Sequence, residues 1–193
     1  SMAAPGSKDT DVSLYDFTRV SAALAICLAE QSPGQEAVAL LVSGDVSGVQ
    51  DWLYAIGSEG AAKSLRGRSV YLQLLSEVVA HWLLDRLELP SCNLLYAGGG
   101  NFYMLAPVAA RTQIESLQVE ITRRLLVMHQ GALYIALGAK EVTTADLAGG
   151  RIGDVWAAVS ADVSRRKRQR FAELGDDEMA QVIGSPLAGT GKL

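Results

Sequence analysis

Histidine and cysteine are scarce in this 193-residue chain, with two of each. Cys27 and Cys92 sit inside apolar runs without metal-ligand spacing, so they read as buried free thiols of a cytosolic protein rather than a disulfide. His81 and His129 are isolated on helical segments and no His-Asp dipeptide occurs, which leaves them a core or surface role. Positive charge is not in excess either. Seventeen Lys and Arg against 21 Asp and Glu give a net charge of −4, so the domain as a whole does not attract nucleic acid, although a local basic patch remains open. No apolar run is long enough to span a bilayer, and the first residues lack a signal-peptide pattern; the expected location is the cytoplasm, with no membrane partner. Internal repeats and low-complexity segments are absent. Tyr and Trp fall mainly on core periods, which argues against a base-stacking platform.

What is present is apolar material. At 49% hydrophobic and 20% charged residues, the chain can bury the core of one domain. Residues 1–12 read as a cloning remnant and flexible lead-in, 13–174 as the domain, and 175–193 as a linker toward a further domain. Ser13 and Asp16 resemble a capping box, and behind them Phe17, Val20, Leu24 and Leu28 recur at helical spacing over 13–31. "AVALLVSGDV" is a continuous apolar run, the mark of a central strand buried on both faces. "SGVQDWLYAI" predicts a turn and a short helix. Tyr71, Leu74, Leu75, Val78, Val79, Trp82, Leu83 and Leu87 predict a long helix ending before Pro90. "CNLLYA" and "FYMLAP" flank three glycines as a hairpin. Ile114, Leu117, Ile121, Leu125 and Met128 mark another helix, "GALYIALGAKEV" a fourth strand, and Val155, Trp156, Val159 and Val163 a last helix starting near Ile152. The fold class is therefore α+β: a ferredoxin-like, split βαββαβ arrangement with additional N- and C-terminal helices.

In palm-type nucleotidyl transferases and cyclases, this topology sets carboxylates at the end of the first strand and at the hairpin tip, where two Mg²⁺ ions are held. Asp45 occupies the first place, as a metal ligand or as a residue fixing the next turn. The second place reads Gly98, Gly99, Gly100, Asn101, with no acid. Asp45 alone would hold at most one Mg²⁺ against a nucleotide's phosphates. Ser47 and Gly48 lie at a strand-to-helix turn whose N–H groups favour phosphate, as many plain turns also do. Lys63, Arg66 and Arg68, with Ser64 and Ser69, open the long helix, where cations oppose the helix dipole unless an anion neutralises them. They are either a solvated basic face or a phosphate-binding cluster. "SRRKRQRF" carries Arg165, Arg166, Lys167, Arg168 and Arg170 at a helix C-terminus. That placement suits the dipole by itself; the alternative is a contact with RNA or an acidic partner subunit.

"GDVSGVQDWLY", "GAAKSLRGRSVYLQLLSE", "NLLYAGGGNFYML" and "RRKRQRF", in this order and behind the helix "SLYDFTRVSAALAICL", resemble the first palm domain of the large subunit of type III CRISPR effector complexes, Csm (type III-A) branch. The resemblance covers roughly residues 13–174. It implies a GGDEF-like, nucleotidyl cyclase-like palm that binds ATP without turning it over. In the full-length protein such a palm faces a second, Gly-Gly-Asp-Asp palm that makes cyclic oligoadenylate when target RNA is bound, beside an HD nuclease domain. Partners implied are that second palm, the other subunits of the ribonucleoprotein and, indirectly, guide and target RNA. Carried onto this sequence, Ser47 and Gly48 lie near the base or sugar, and Lys63, Arg66, Arg68 and Ser69 near the phosphates. Gly99 and Gly100 leave room for the nucleotide. The chain lacks the HD and Gly-Gly-Asp-Asp motifs, so neither activity of the parent is expected of it alone. An architectural pseudo-cyclase that docks subunits or RNA without nucleotide is the alternative.

Overall fold

The computed structural model describes residues 13–55, 61–175 and 177–178. The lead-in at 1–12 and the linker residues 176 and 179–193 lie outside the described residues. In chain order the elements are α1 (Leu14–Ala29), β1 (Ala37–Ser47), α2 (Val49–Tyr54), α3 (Ala61–Arg86), β2 (Leu94–Gly98), β3 (Asn101–Ala106), α4 (Arg111–His129), β4 (Tyr134–Thr143), α5 (Thr144–Ala148) and α6 (Ile152–Arg168). The four strands form one sheet in the order β2-β3-β1-β4, with every neighbouring pair antiparallel. This is the α+β, split βαββαβ architecture that the pattern of apolar runs predicts.

The sheet is covered on both faces. Leu40, Val42 and Val46 of β1 pack with Phe102 and Met104 against Leu75, Val79 and Leu83 of α3 and Ile114, Leu117 and Ile121 of α4. On the opposite face Ala39 and Leu41 meet Ala23 and Cys27 of α1 and Val155 and Val159 of α6. The helices added at the two ends thus bury a face that a minimal βαββαβ sheet leaves open. That burial is why β1 reads as an unbroken apolar run.

Close approach is set by small residues. At Gly138 a Cβ would lie 2.7 Å from Val163 Cγ2 and 3.1 Å from both Val159 O and Val163 N, so glycine there lets the α6 backbone rest on β4. Burial, with the charge of Glu30 second, pushes the Cys27 thiol up to about 11, so it stays protonated in the core. Both cysteines are free, and Cys92 is only partly buried.

Several sequence expectations shift here. Along α1, Ala23 and Cys27 face inward while Phe17, Val20 and Leu28 are exposed, because the helix seats its small residues on the sheet. In α3, Leu74 and Val78 are exposed beside Val70, and in α4 Met128 is exposed. Tyr and Trp do not follow core periods as expected. Tyr15, Tyr54 and Tyr96 are exposed, and only Tyr134 among these residues is fully buried. Helix α5 has no counterpart in the sequence reading, although Thr143 and Asp146 form a complete capping box at its start.

Candidate functional site

The candidate site forms where β1 ends beside the β2–β3 hairpin. Gly99 (φ 62°) and Gly100 (φ 88°) are the two central residues of the turn. Both lie in the left-handed region that a two-residue hairpin requires, which glycine adopts without strain. A Cβ at Gly99 would meet nothing within 4 Å among the described residues, so the tip is bare with respect to them. The Val46 N–H donates to Gly100 O at 2.9 Å and ties the tip to β1. In register Asp45 stands opposite Asn101 on one side and Ala136 on the other. Directly paired residues share a sheet face, so Asp45 and Asn101 lie together on the face that α6 covers. Asn101 Oδ1 is buried without a hydrogen-bond partner among the described residues.

Lys167, in the last turn of α6, reaches this point. Its Nζ lies 2.5 Å from Asp45 Oδ2 and donates to Val46 O at 3.2 Å. Arg165, Arg166 and Arg170 are also engaged. Arg165 and Arg166 both pair with Asp162. Burial would raise the Asp162 carboxyl, but the hydrogen bond from Arg165 and the charge of Arg166 outweigh it and hold the group below its usual range. Arg170 donates to Gly131 O at 3.0 Å and lies over the Tyr134 and Phe171 rings. Arg168 is exposed.

Gly48 caps α2 with φ 86°, and a Cβ there would sit 2.1 Å from Ala132 O and 3.3 Å from Arg170 Nη2. Ser47 pairs with Tyr134 at the start of β4. Asp45, Ser47, Gly48, Gly100, Lys167 and Arg170 are therefore gathered around the end of β1. The α3 cluster is arranged differently. Lys63 and Arg66 are exposed, and Ser69 Oγ donates back to Leu65 O at 2.9 Å. Arg68 donates to the Trp52 carbonyl and lies 5.0 Å over the Trp52 ring, so its guanidinium is committed to α2.

Sequence reasoning missed the group that surrounds Trp52. Tyr71 Oη and His129 Nε2 are 2.8 Å apart, and both rings pack on Trp52. Burial holds the His129 imidazole below its ordinary range, favouring the neutral form. Nothing local in the sequence links residues 58 positions apart. A cleft of about 200 Å³ lies elsewhere, over the β4 edge between α4 and α6, lined by Arg111, Lys140, Arg165 and Arg166 with Glu115 and Asp162.

The residues fit a divalent ion poorly. Among the described residues no group of three or more His, Cys, Asp or Glu could hold a metal, and the Asp45 carboxylate already faces an ammonium. Among the described residues, no helix is long and apolar enough to cross a membrane.

The family model described as Csm1 subunit domain B matches residues 38–184. A relative from Enterococcus italicus, described as the CRISPR system single-strand-specific deoxyribonuclease Cas10/Csm1 (subtype III-A), is 36% identical over 197 residues, covering 87% of this chain and 26% of the relative. Its counterpart from Mycobacterium tuberculosis is 38% identical over 161 residues, covering 73% of this chain and 20% of its own length. Among solved structures, a Csm1-Csm4 cassette in complex with pppApApA superposes with a TM-score of 0.77 at 25% identity, over 91% of this chain and 26% of that one. A Csm1-Csm4 cassette in complex with AMPPNP gives 0.73 at 26% identity, over 92% and 26%. The chain thus spans about a quarter of the length of these proteins.

Proposed function

The chain belongs to the Csm1 subunit domain B family, a domain of the Cas10/Csm1 large subunit of type III-A CRISPR complexes, and on that premise we propose that it holds ATP without transforming it. It serves as the incomplete half of a composite site. A second palm in the longer large-subunit chain supplies the acids for cyclic oligoadenylate synthesis, and Csm4-type subunits and RNA surround the pair. The observation that carries this reading is the bare Gly99–Gly100 turn fastened to the end of β1, with Asn101 instead of an acid opposite Asp45. Such a turn leaves its backbone open to close approach by a ligand and lacks the paired carboxylates of two-ion phosphoryl transfer. Likeness to a Csm1-Csm4 cassette in complex with an ATP analogue supports the same choice.

Calorimetric titration of the chain with ATP tests it. Saturable heat is expected with a dissociation constant on the order of 1 mM or tighter, about −4 kcal/mol, and no turnover. Absence of heat at millimolar ATP refutes the reading. Product formation that Asp45→Ala abolishes would instead make the chain an enzyme in its own right.

An architectural reading is favoured by one observation: the stripe Val70, Leu74 and Val78 on α3 is exposed. Its occupant would be a neighbouring domain of the large subunit, since the relatives are about four times as long as this chain. On this reading, which needs no nucleotide, Leu74→Asp with Val78→Asp in the full-length subunit is expected to weaken its cyclase output, and the isolated domain gives no heat with ATP in either form. Unaltered output would remove this reading.

A further inference from the structure

Asp45 Oδ2, the Val46 carbonyl and the unpartnered Asn101 Oδ1 are hard oxygen donors gathered at one strand end, the donor type that a divalent ion selects. In this protein an ammonium is seated against the first two of them. Lys167 Nζ contacts the carboxylate at 2.5 Å and the carbonyl at 3.2 Å. The placement is built into the fold. Val163, one turn earlier, is buried against Tyr134 and Ala136, Gly138 admits the α6 backbone onto β4, and Arg170 fastens the chain just beyond to Gly131 O. With two N–H groups engaged, the ammonium keeps a third for an incoming oxygen.

We propose that Lys167 is the resident cation of the Asp45 position: it neutralises the carboxylate, keeps divalent ions off it, and offers its remaining N–H to a phosphate oxygen. Asp45 then acts as the group that aims Lys167. A divalent ion approaching Asp45 meets a like charge already in place, and the single carboxylate gives it too little in return. Only the phosphate step rests on the ATP reading; exclusion of metal stands without it.

The test uses Mn²⁺ alone, followed by electron paramagnetic resonance, and does not involve nucleotide. Wild type and Asp45→Asn are expected to give the same Mn²⁺ binding curve. Lys167→Met should bind Mn²⁺ about tenfold more tightly or better, as expected when one adjacent like charge is removed. Adding Asp45→Asn should cancel that gain, while Lys167→Arg should keep the metal out. The proposal is overturned if Asp45→Asn weakens Mn²⁺ binding by the wild-type chain, a comparison that needs no Lys167 variant to fold. It is also overturned if folded Lys167→Met gains nothing. A parallel ATP titration in EDTA and in Mg²⁺ should agree within about twofold. A Mg²⁺ requirement lost in Asp45→Asn would count against the lysine. No ATP binding in either buffer would sink the nucleotide reading and leave the Mn²⁺ curves to decide the lysine's role.

Discussion

Gly48→Ala is expected to cost about 3 kcal/mol of stability and to lower the melting temperature by roughly 6–12 °C. Two effects add. Gly48 sits at φ 86°, where an L side chain costs about 1–2 kcal/mol. Its Cβ would also fall 2.1 Å from Ala132 O, a backbone atom that cannot rotate away, and overpacking of this kind costs about 1–3 kcal/mol. Relief would push the Gly131–Ala132 segment outward, and with it the Arg170 anchor on Gly131 O. The control is Gly67→Ala in α3, where a Cβ would meet nothing within 4 Å among the described residues; there the change should stabilise by about 0.5–1 kcal/mol. Thermal and urea unfolding followed by circular dichroism measures both. A Gly48→Ala loss below about 1 kcal/mol would show that the turn relaxes freely. The result also bears on function: Gly48 packs its Cα against Ala132, so ATP heat lost in this variant would report a displaced strand end and not a missing ligand contact.

The order of elements was legible because each carries a local signature. Ser13 takes the Asp16 N–H at 3.1 Å as the spacing suggests, and the three consecutive glycines become a turn with two left-handed residues. The direction each apolar face points was less legible. In α1 the larger side chains suggested an inward stripe, yet close packing on a sheet rewards small residues, and Ala23 and Cys27 took that place. In α3 the apolar surface is wider than the face the sheet can cover, so Leu74 and Val78 remain outside. Helix α5 was legible in principle from Thr143 and Asp146, a cap whose helix is short and lacks an apolar stripe to draw the eye.

The site was legible only in part. Sequence proximity places Asp45, Ser47 and Gly48 together, and the fold class brings the hairpin beside them. It does not reveal that Lys167 closes on Asp45, because Lys167 and Val46 are 121 residues apart and meet only through the packing of α6 on β4. From sequence the basic run reads as a complement to the helix dipole or, alternatively, as a contact with RNA or an acidic partner subunit. Its partners make it largely a set of tethers, with Asp162 taking Arg165 and Arg166 at helical spacing. That pairing was within reach of the sequence; the reach of Lys167 and Arg170 across the sheet was not.

Gln118→Leu is expected to destabilise the domain by about 2–5 kcal/mol, although leucine nearly matches glutamine in volume. Among the described residues, strand β4 has β1 on one side only, so its other edge carries backbone groups with no strand there to pair them. Gln118 on α4 supplies the missing partner. Its Oε1 accepts from Leu137 N at 2.6 Å, and its Nε2 donates to Ile135 O at 2.9 Å. The amide thus reproduces one rung of a strand ladder from a helix. It also lies beside Thr122 Oγ1 at 3.0 Å and Glu173 Oε1 at 3.2 Å, linking the edge to the segment after α6. At 2% exposure no water replaces these bonds, and each orphaned group costs about 1–3 kcal/mol. Gln118→Glu should also destabilise at neutral pH, since a carboxylate keeps the Leu137 bond, loses the Ile135 bond and faces Glu173. Protonation restores a donor, so the folded form raises that carboxyl's pKa and the deficit narrows as pH falls toward the carboxylate range. Gln113→Leu, whose exposed amide reaches Arg86 O at 2.7 Å, should cost less than about 1 kcal/mol. Hydrogen exchange at the Leu137 amide separates edge pairing from general packing. Faster exchange there in Gln118→Leu, with the β1–β3 amides still protected, marks the glutamine as the partner of the edge; uniform loss across the sheet would assign its effect to the core instead.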